Sequence, residues 1–167
     1  RRSSDLAFIP NGSVTVEDEK VKVGAFFMFK TEVSNKQYSE FFKSIKDENL
    51  QEKYSIKAEK WIETLNHGKS MAEHYHTHEA YQKYPVVNIT VEAAEAYCEW
   101  LTQKYQNEDI GLSHDMKIVF RLPSRVEWVH AANGELTGPY AWGGPYVRDT
   151  RGTFLANFNR VGPENIH

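Results

Sequence analysis

In the first thirty residues, apolar positions alternate with polar ones or gather in short runs, which is the pattern of β-strands. Phe8-Ile9 is apolar and runs into a Pro10-Asn11-Gly12 turn. Val14-Thr15-Val16 resumes the strand, Glu17–Lys20 reads as a charged turn, and Val21–Lys30 predicts a further strand rich in Phe. The period then changes. Ser34 and Gln37 form a capping box, in which each side chain satisfies a backbone N–H at a helix start. Tyr38, Phe41, Phe42 and Ile45 follow at helical spacing. Residues 47–83 are polar, charged and rich in aromatics and histidine, and predict an insertion with one short helix or strand near Lys60–Leu65.

Tyr84–Ile89 reads as a short strand. Thr90 then caps a long helix whose expected apolar face is Val91, Ala94, Cys98, Leu101 and Tyr105, with Glu92 and Glu95 near its N-terminus, where the helix dipole favours negative charge. Ile118–Pro123 predicts another strand. Ser124 with Glu127 makes a second capping box and opens a helix to Ala132, which Asn133-Gly134 stops. Past Gly134, Gly and Pro recur, regular structure becomes sparse, and no internal repeat is visible.

The chain has 167 residues, 40% hydrophobic and 13% aromatic, enough apolar material for one core and a single domain over 1–167. The net charge of −3 comes from 20 basic and 23 acidic residues, a balance that argues against a nucleic-acid partner. No apolar run approaches the ~20 residues that span a bilayer. Arg1-Arg2-Ser3-Ser4 has no apolar signal core behind it, so a processed or excised segment is expected. Cys98 is the single cysteine, which excludes an intrachain disulfide.

Six separated segments, in order, resemble the formylglycine-generating-enzyme (sulfatase-modifying factor) family. Phe8-Ile9-Pro10-Asn11-Gly12-Ser13 looks like its opening I-P-G-G-x-F strand, and Phe29–Tyr38 is similar to its K-x-E-V-T-N-x-Q-Y segment. Tyr84–Thr90, Glu92-Ala93 and Ala96–Trp100 together resemble P-V-x-x-V-S-W-x-D-A-x-A-Y-C-x-W. Arg121–Trp128 is similar to R-L-P-T-E-A-E-W, and Tyr140–Gly143 with Leu155–Phe158 resemble Y-P-W-G and the A-N that follows it. The resemblance implies an irregular α+β domain of C-type-lectin-like fold, with two main helices and short twisted antiparallel strands. The later part of the family domain, with its G-N-V-W-E-W and R-G-G-S-W stretches, is absent from these residues.

The resemblance also implies a calcium loop at the A-N, where Asn157 and the Phe158 carbonyl match the ligands. Calcium takes about 6–8 oxygens, so these two make only part of a site. Enzymes of the family oxidise a target cysteine with copper held by two thiolates, soft donors suited to Cu(I). This chain has one cysteine, expected on the apolar face of a helix, so no copper is expected in it. Glu73–Tyr81, with its three histidines, resembles the gliding-motility and secretion lipoproteins of the family. That likeness implies the periplasm or cell surface, associated with the outer membrane.

Three groups of side chains are candidates for chemistry or binding. His74, His76 and His78 alternate; as a strand they would share a face and could hold a divalent ion, and as a helix only His74 and His78 would align. The plainer reading is a polar loop rich in histidine. Arg121, Glu127 and Trp128 could line a groove; the plainer reading is that they serve the fold, by pairing, capping and core packing respectively. Between Tyr140 and Arg160, the aromatics Tyr140, Trp142, Tyr146, Phe154 and Phe158 alternate with Arg148, Arg151 and Arg160. Tyr, Trp and Arg are the residues enriched at binding hot spots, so this segment is the expected peptide-binding surface, the plainer reading being a loop packed on the core.

Three functional readings follow. The first is a non-catalytic scaffold or recognition domain in a bacterial envelope assembly, with a protein partner expected to supply the missing strands. The second is the N-terminal portion of a copper-dependent oxidase acting on sulfatase cysteines. The third is a ligand-display module. An unpaired sheet edge or an unusual exposed apolar patch is expected if the later strands are missing.

Overall fold

The structure is a computed structural model that describes residues 5–66, 68–107, 117–134, 136, 138 and 140–156. The chain divides into two compact units, one of Arg1–Phe8 with Phe27–Pro123 and the other of Ile9–Phe26 with Ser124–His167. The elements are β1 (Leu6–Ile9), β2 (Gly12–Val16), β3 (Glu19–Val23), β4 (Phe26–Phe29), α1 (Asn35–Ser44), α2 (Glu48–Lys53), α3 (Lys60–Thr64), α4 (Lys69–His74), a 3₁₀ turn at Glu79–Tyr81, α5 (Val91–Asn107) and α6 (Arg125–Asn133). This is an irregular α+β fold. Its two strand pairs are β1 with β4 and β2 with β3.

The first unit is built on α1 and α5, the two longest helices. Both parts of the capping box on α1 form: Ser34 N–H donates to Gln37 Oε1 at 2.8 Å and Gln37 N–H to Ser34 Oγ at 3.4 Å. Thr90 Oγ1 accepts the Ala93 N–H at 3.1 Å and caps α5. Tyr38 and Phe41 of α1 meet Ala93, Tyr97 and Leu101 of α5 in the core. Phe41 and Leu101 are each 4% exposed, a burial that contributes about 1.5–3 kcal/mol per side chain. Tyr38 is fully buried, and its hydroxyl donates to the Tyr54 carbonyl at 2.7 Å. Burial, with Tyr54 beside it, pushes the Tyr38 pKa up to about 12.

The buried face of α5 differs from the expected one. Ala93 and Tyr97 are buried where Ala94 and Cys98 are only half-buried, and Val91 is 65% exposed. The helix is apolar over a wide arc, so its period alone does not choose a face. The rings of Tyr38 and Phe41 choose it, by packing on Tyr97 with centroids 6.2 and 5.8 Å away.

Two expected strands do not form. Tyr84–Ile89 has a single bridge, Pro85 to Ser34, and residues 117–123 have no ladder. In the second stretch a side chain takes the ladder's place. Phe120 N–H donates to Thr102 Oγ1 at 2.8 Å while that hydroxyl donates to the Cys98 carbonyl at 2.9 Å. Phe120 then stacks on Phe29 at 5.8 Å and meets Tyr105 at 5.1 Å. The polar insertion is also more helical than expected, holding α2, α3, α4 and the 3₁₀ turn. Asp47 Oδ1 caps α2 by accepting Asn49 N–H at 2.8 Å.

The expected single strand Val21–Lys30 is two strands, broken at Gly24-Ala25, and β4 leaves the hairpin to pair with β1. On that pair Phe8 and Phe27 lie 5.3 Å apart and remain 59% and 65% exposed.

In the second unit β2 and β3 pair antiparallel, with Val14 opposite Val21 and Gly12 opposite Val23. Glu17 and Asp18 at the turn have φ of 53° and 66°, the two positive values that a two-residue hairpin turn needs to match strand twist. α6 packs on this hairpin. Its capping box forms, with Ser124 N–H on Glu127 Oε2 at 2.8 Å and Glu127 N–H on Ser124 Oγ at 3.2 Å. His130 Nε2–H donates to the Pro10 carbonyl at 2.9 Å. That approach requires Gly12, since a Cβ there would lie 2.6 Å from the His130 ring. Trp128, expected in the core, is 60% exposed, while Val126 and Val129 of α6 are half-buried.

Candidate functional site

The three histidines do not share a face. His74 ends α4, His76 lies in the turn after it, and His78 caps the 3₁₀ turn by accepting Ala80 N–H on Nδ1 at 3.2 Å. Helical backbone carries the segment, so the strand reading fails and only His74 and His78 align, their rings 6.3 Å apart. His76 turns inward. Its Nδ1 lies 3.1 Å from Asn35 Oδ1, and its Nε2 lies 3.3 Å from the Trp61 indole Nε1. An indole N–H can only donate and an amide oxygen only accept, so the partners assign His76 the neutral Nδ1–H tautomer. Both ring nitrogens are then engaged, and no lone pair remains for a metal. Among the described residues no group of three or more His, Cys, Asp or Glu is arranged to hold a metal ion.

Asn35 is the centre of this network and was not legible as such in the sequence. It is 3% exposed, and its Nδ2 donates to the carbonyls of Tyr75 at 2.9 Å and Tyr81 at 3.0 Å. Tyr75 is buried too; its hydroxyl donates to the Pro85 carbonyl at 2.8 Å, and burial raises its pKa, with smaller contributions from Glu32 and Tyr84. Asn35 thus ties the first turn of α1 to the insertion. Nearby, an open cleft of about 450 Å³ has Lys30, Lys83, Asp5 and Glu32 around Phe29 and Val33. Two cations and two anions leave it without a net sign, and it selects no ligand class.

The expected peptide-binding segment lies in the second unit. Tyr140 and Trp142 stack almost parallel, centroids 4.7 Å apart at 10°, and Trp142 Nε1–H donates to the Tyr146 carbonyl at 2.9 Å. Tyr146 itself is 75% exposed. A tight loop follows. Asp149 Oδ1 accepts the N–H groups of Arg151 at 2.9 Å and Thr153 at 2.8 Å, and Gly152 supplies the positive φ of 82° at its tip. Arg148 lies over Phe154 with its guanidinium carbon 3.6 Å from the ring centre, and its Nη1–H donates to the Gly152 carbonyl at 2.8 Å. Arg151 is exposed. The structure brings together Tyr140, Trp142 and Tyr146, and separately Arg148 with Phe154. Asn157, Phe158 and Arg160 lie outside the described residues.

Cys98 is a half-buried thiol. Burial raises its pKa, and the carboxylates of Glu95 and Glu99 add to the rise. Copper of the kind the family's oxidases hold needs two thiolates. These residues supply one sulfur, kept protonated, and do not fit it.

The family model described as the sulfatase-modifying factor enzyme 1-like domain matches residues 1–166. The chain belongs to this family, that of the formylglycine-generating enzymes. No curated protein and no solved structure matches the chain. No helix among the described residues is long and apolar enough to cross a membrane.

Proposed function

We propose that this chain is a non-catalytic recognition domain of its family that binds a protein partner through the segment from Tyr140 to Phe154. One observation supports the reading above the rest: aromatic surface that is held in place yet left uncovered. Tyr140 and Trp142 brace each other, Trp142 is tied to the Tyr146 backbone, and the Tyr146 ring stays 75% exposed. Side chains already ordered in the free protein lose little entropy on binding, so their contact area converts efficiently into affinity. Arg151, exposed in the loop that follows, favours a peptide with acidic side chains. The partner belongs, in this reading, to a bacterial envelope assembly, as the likeness of Glu73–Tyr81 to gliding and secretion lipoproteins implies. Calcium held at Asn157 and the Phe158 carbonyl is part of the same proposal.

The test is selection from a random peptide library, followed by titration of the selected peptides against Trp142→Ala and Tyr146→Ala. Loss of a hot-spot aromatic costs about 2 kcal/mol or more, which is roughly 30-fold in affinity. Peptides whose affinity is unchanged in both variants would place binding elsewhere. A second reading, the N-terminal portion of a copper-dependent oxidase, is favoured by the family match over 1–166. Two cysteines a few residues apart in the gene past His167 would favour it over the first, since this chain holds one cysteine.

A further inference from the structure

We infer that His76 is an acid-sensitive latch that fastens the polar insertion to the start of α1, and that its protonation releases Trp61. Two fixed partners define the latch. Asn35 Oδ1 takes the Nδ1–H, and its orientation is set because the other end of the amide donates to the Tyr75 and Tyr81 carbonyls. Trp61 Nε1–H takes the lone pair on Nε2 at 3.3 Å. A proton from solvent can add only at Nε2, where that lone pair is. The imidazolium then presents N–H to the indole N–H, two donors face to face, and the bond to Trp61 must open while that to Asn35 remains.

The insertion is built to respond. α3, which carries Trp61, has only five residues and no side-chain bond at its N-cap. Short helices depend on tertiary contacts for their stability. Besides this hydrogen bond, Trp61 meets the ring of Tyr75 at 5.0 Å. The titratable and charged groups on the surrounding elements are Glu32, Lys36, Tyr38, Glu40 and Lys43 at α1, Glu59, Lys60 and Glu63 at α3, Lys69, Glu73 and His74 on α4, and Tyr75, His78, Glu79, Tyr81, Lys83 and Tyr84 beyond it. Lys60 and Glu63 pair with each other at 2.9 Å. None of these groups shifts His76; its pKa is lowered, and the cause is burial. The unfolded chain takes up its proton near the ordinary histidine value of about 6.5, and the folded chain at lower pH. The latch is therefore fully stabilising above that value. Stability falls as pH drops below it, down to the folded pKa, where the ring protonates and Trp61 is freed.

The experiment is a pH titration of the full chain by NMR, reading the His76 ring nitrogens and the Trp61 indole N–H, with Trp61→Phe to assign the indole among the four tryptophans. Expected are the Nδ1–H tautomer at neutral pH, a His76 midpoint below that of a histidine peptide, and a Trp61 indole shift that follows the same midpoint. His76→Gln, which offers one donor and one acceptor at every pH, keeps the neutral-pH indole position and loses its pH response. Trp61→Phe moves the His76 midpoint upward. An Nε2–H tautomer, a midpoint at or above the peptide value, or an indole that ignores the titration would overturn the latch. If His76→Gln does not fold, the titration of the unaltered chain decides alone.

Discussion

Asn35→Asp changes one atom of the buried network and sets two effects against each other. Asn35 is the first residue of α1, where a negative charge gains about 0.3–1 kcal/mol from the helix dipole. The same change removes both Nδ2 donors, held at 2.9 and 3.0 Å on the carbonyls of Tyr75 and Tyr81. A buried partner left without its hydrogen bond costs about 1–3 kcal/mol, and there are two. The aspartate oxygen also sets lone pairs against both carbonyls, at a site only 3% exposed. The losses win, and the expected net destabilisation is roughly 2–5 kcal/mol. Urea denaturation of both proteins at pH 7.5, followed by tryptophan fluorescence, measures it. A midpoint within error of the parent, or a gain in stability, would show that Asn35 is only a helix-start residue and that the hub does not hold the insertion.

Further expectations follow from single positions. Leu101→Ala empties a site that is 4% exposed in the core between α1 and α5, and should cost about 2–5 kcal/mol in the same assay. Gly134 ends α6 at φ 55° and ψ −133°, a conformation nearly closed to other residues, so Gly134→Ala should destabilise by about 1–3 kcal/mol although a Cβ there would touch nothing. Gly24→Ala also meets no atom within 4 Å and has no such φ; it should be neutral or stabilising by about 0.4–1 kcal/mol. Equal effects of the two glycine changes in thermal melts would refute the conformational argument. Cys98, with its pKa raised by burial and by Glu95 and Glu99, should react with iodoacetamide at pH 7.5 several-fold more slowly than a cysteine peptide, and reaction at the peptide's rate would contradict that placement.

Local signals in the sequence determined what depends on a few neighbouring residues. Ser34 with Gln37, and Ser124 with Glu127, start their helices where the capping boxes predict, because the bonds that define them reach only three residues. Gly134 stops α6 for an equally local reason, its φ of 55°. The family too was legible, since it rests on short motifs in a fixed order.

What lies between distant segments was not legible. The buried face of α5 could not be chosen from a helix apolar over so wide an arc; the rings of Tyr38 and Phe41 chose Tyr97. Nothing in the alternation of His74, His76 and His78 shows that the middle ring turns inward, because its partners stand 41 and 15 residues away, at Asn35 and Trp61. The stretch 118–120 reads as a strand by composition, yet Thr102 supplies its hydrogen bonds from a helix. A side chain's neighbours along the chain set its backbone preferences. Which buried partners satisfy its polar atoms depends on where the folded chain brings distant groups, and only the tertiary structure decides that.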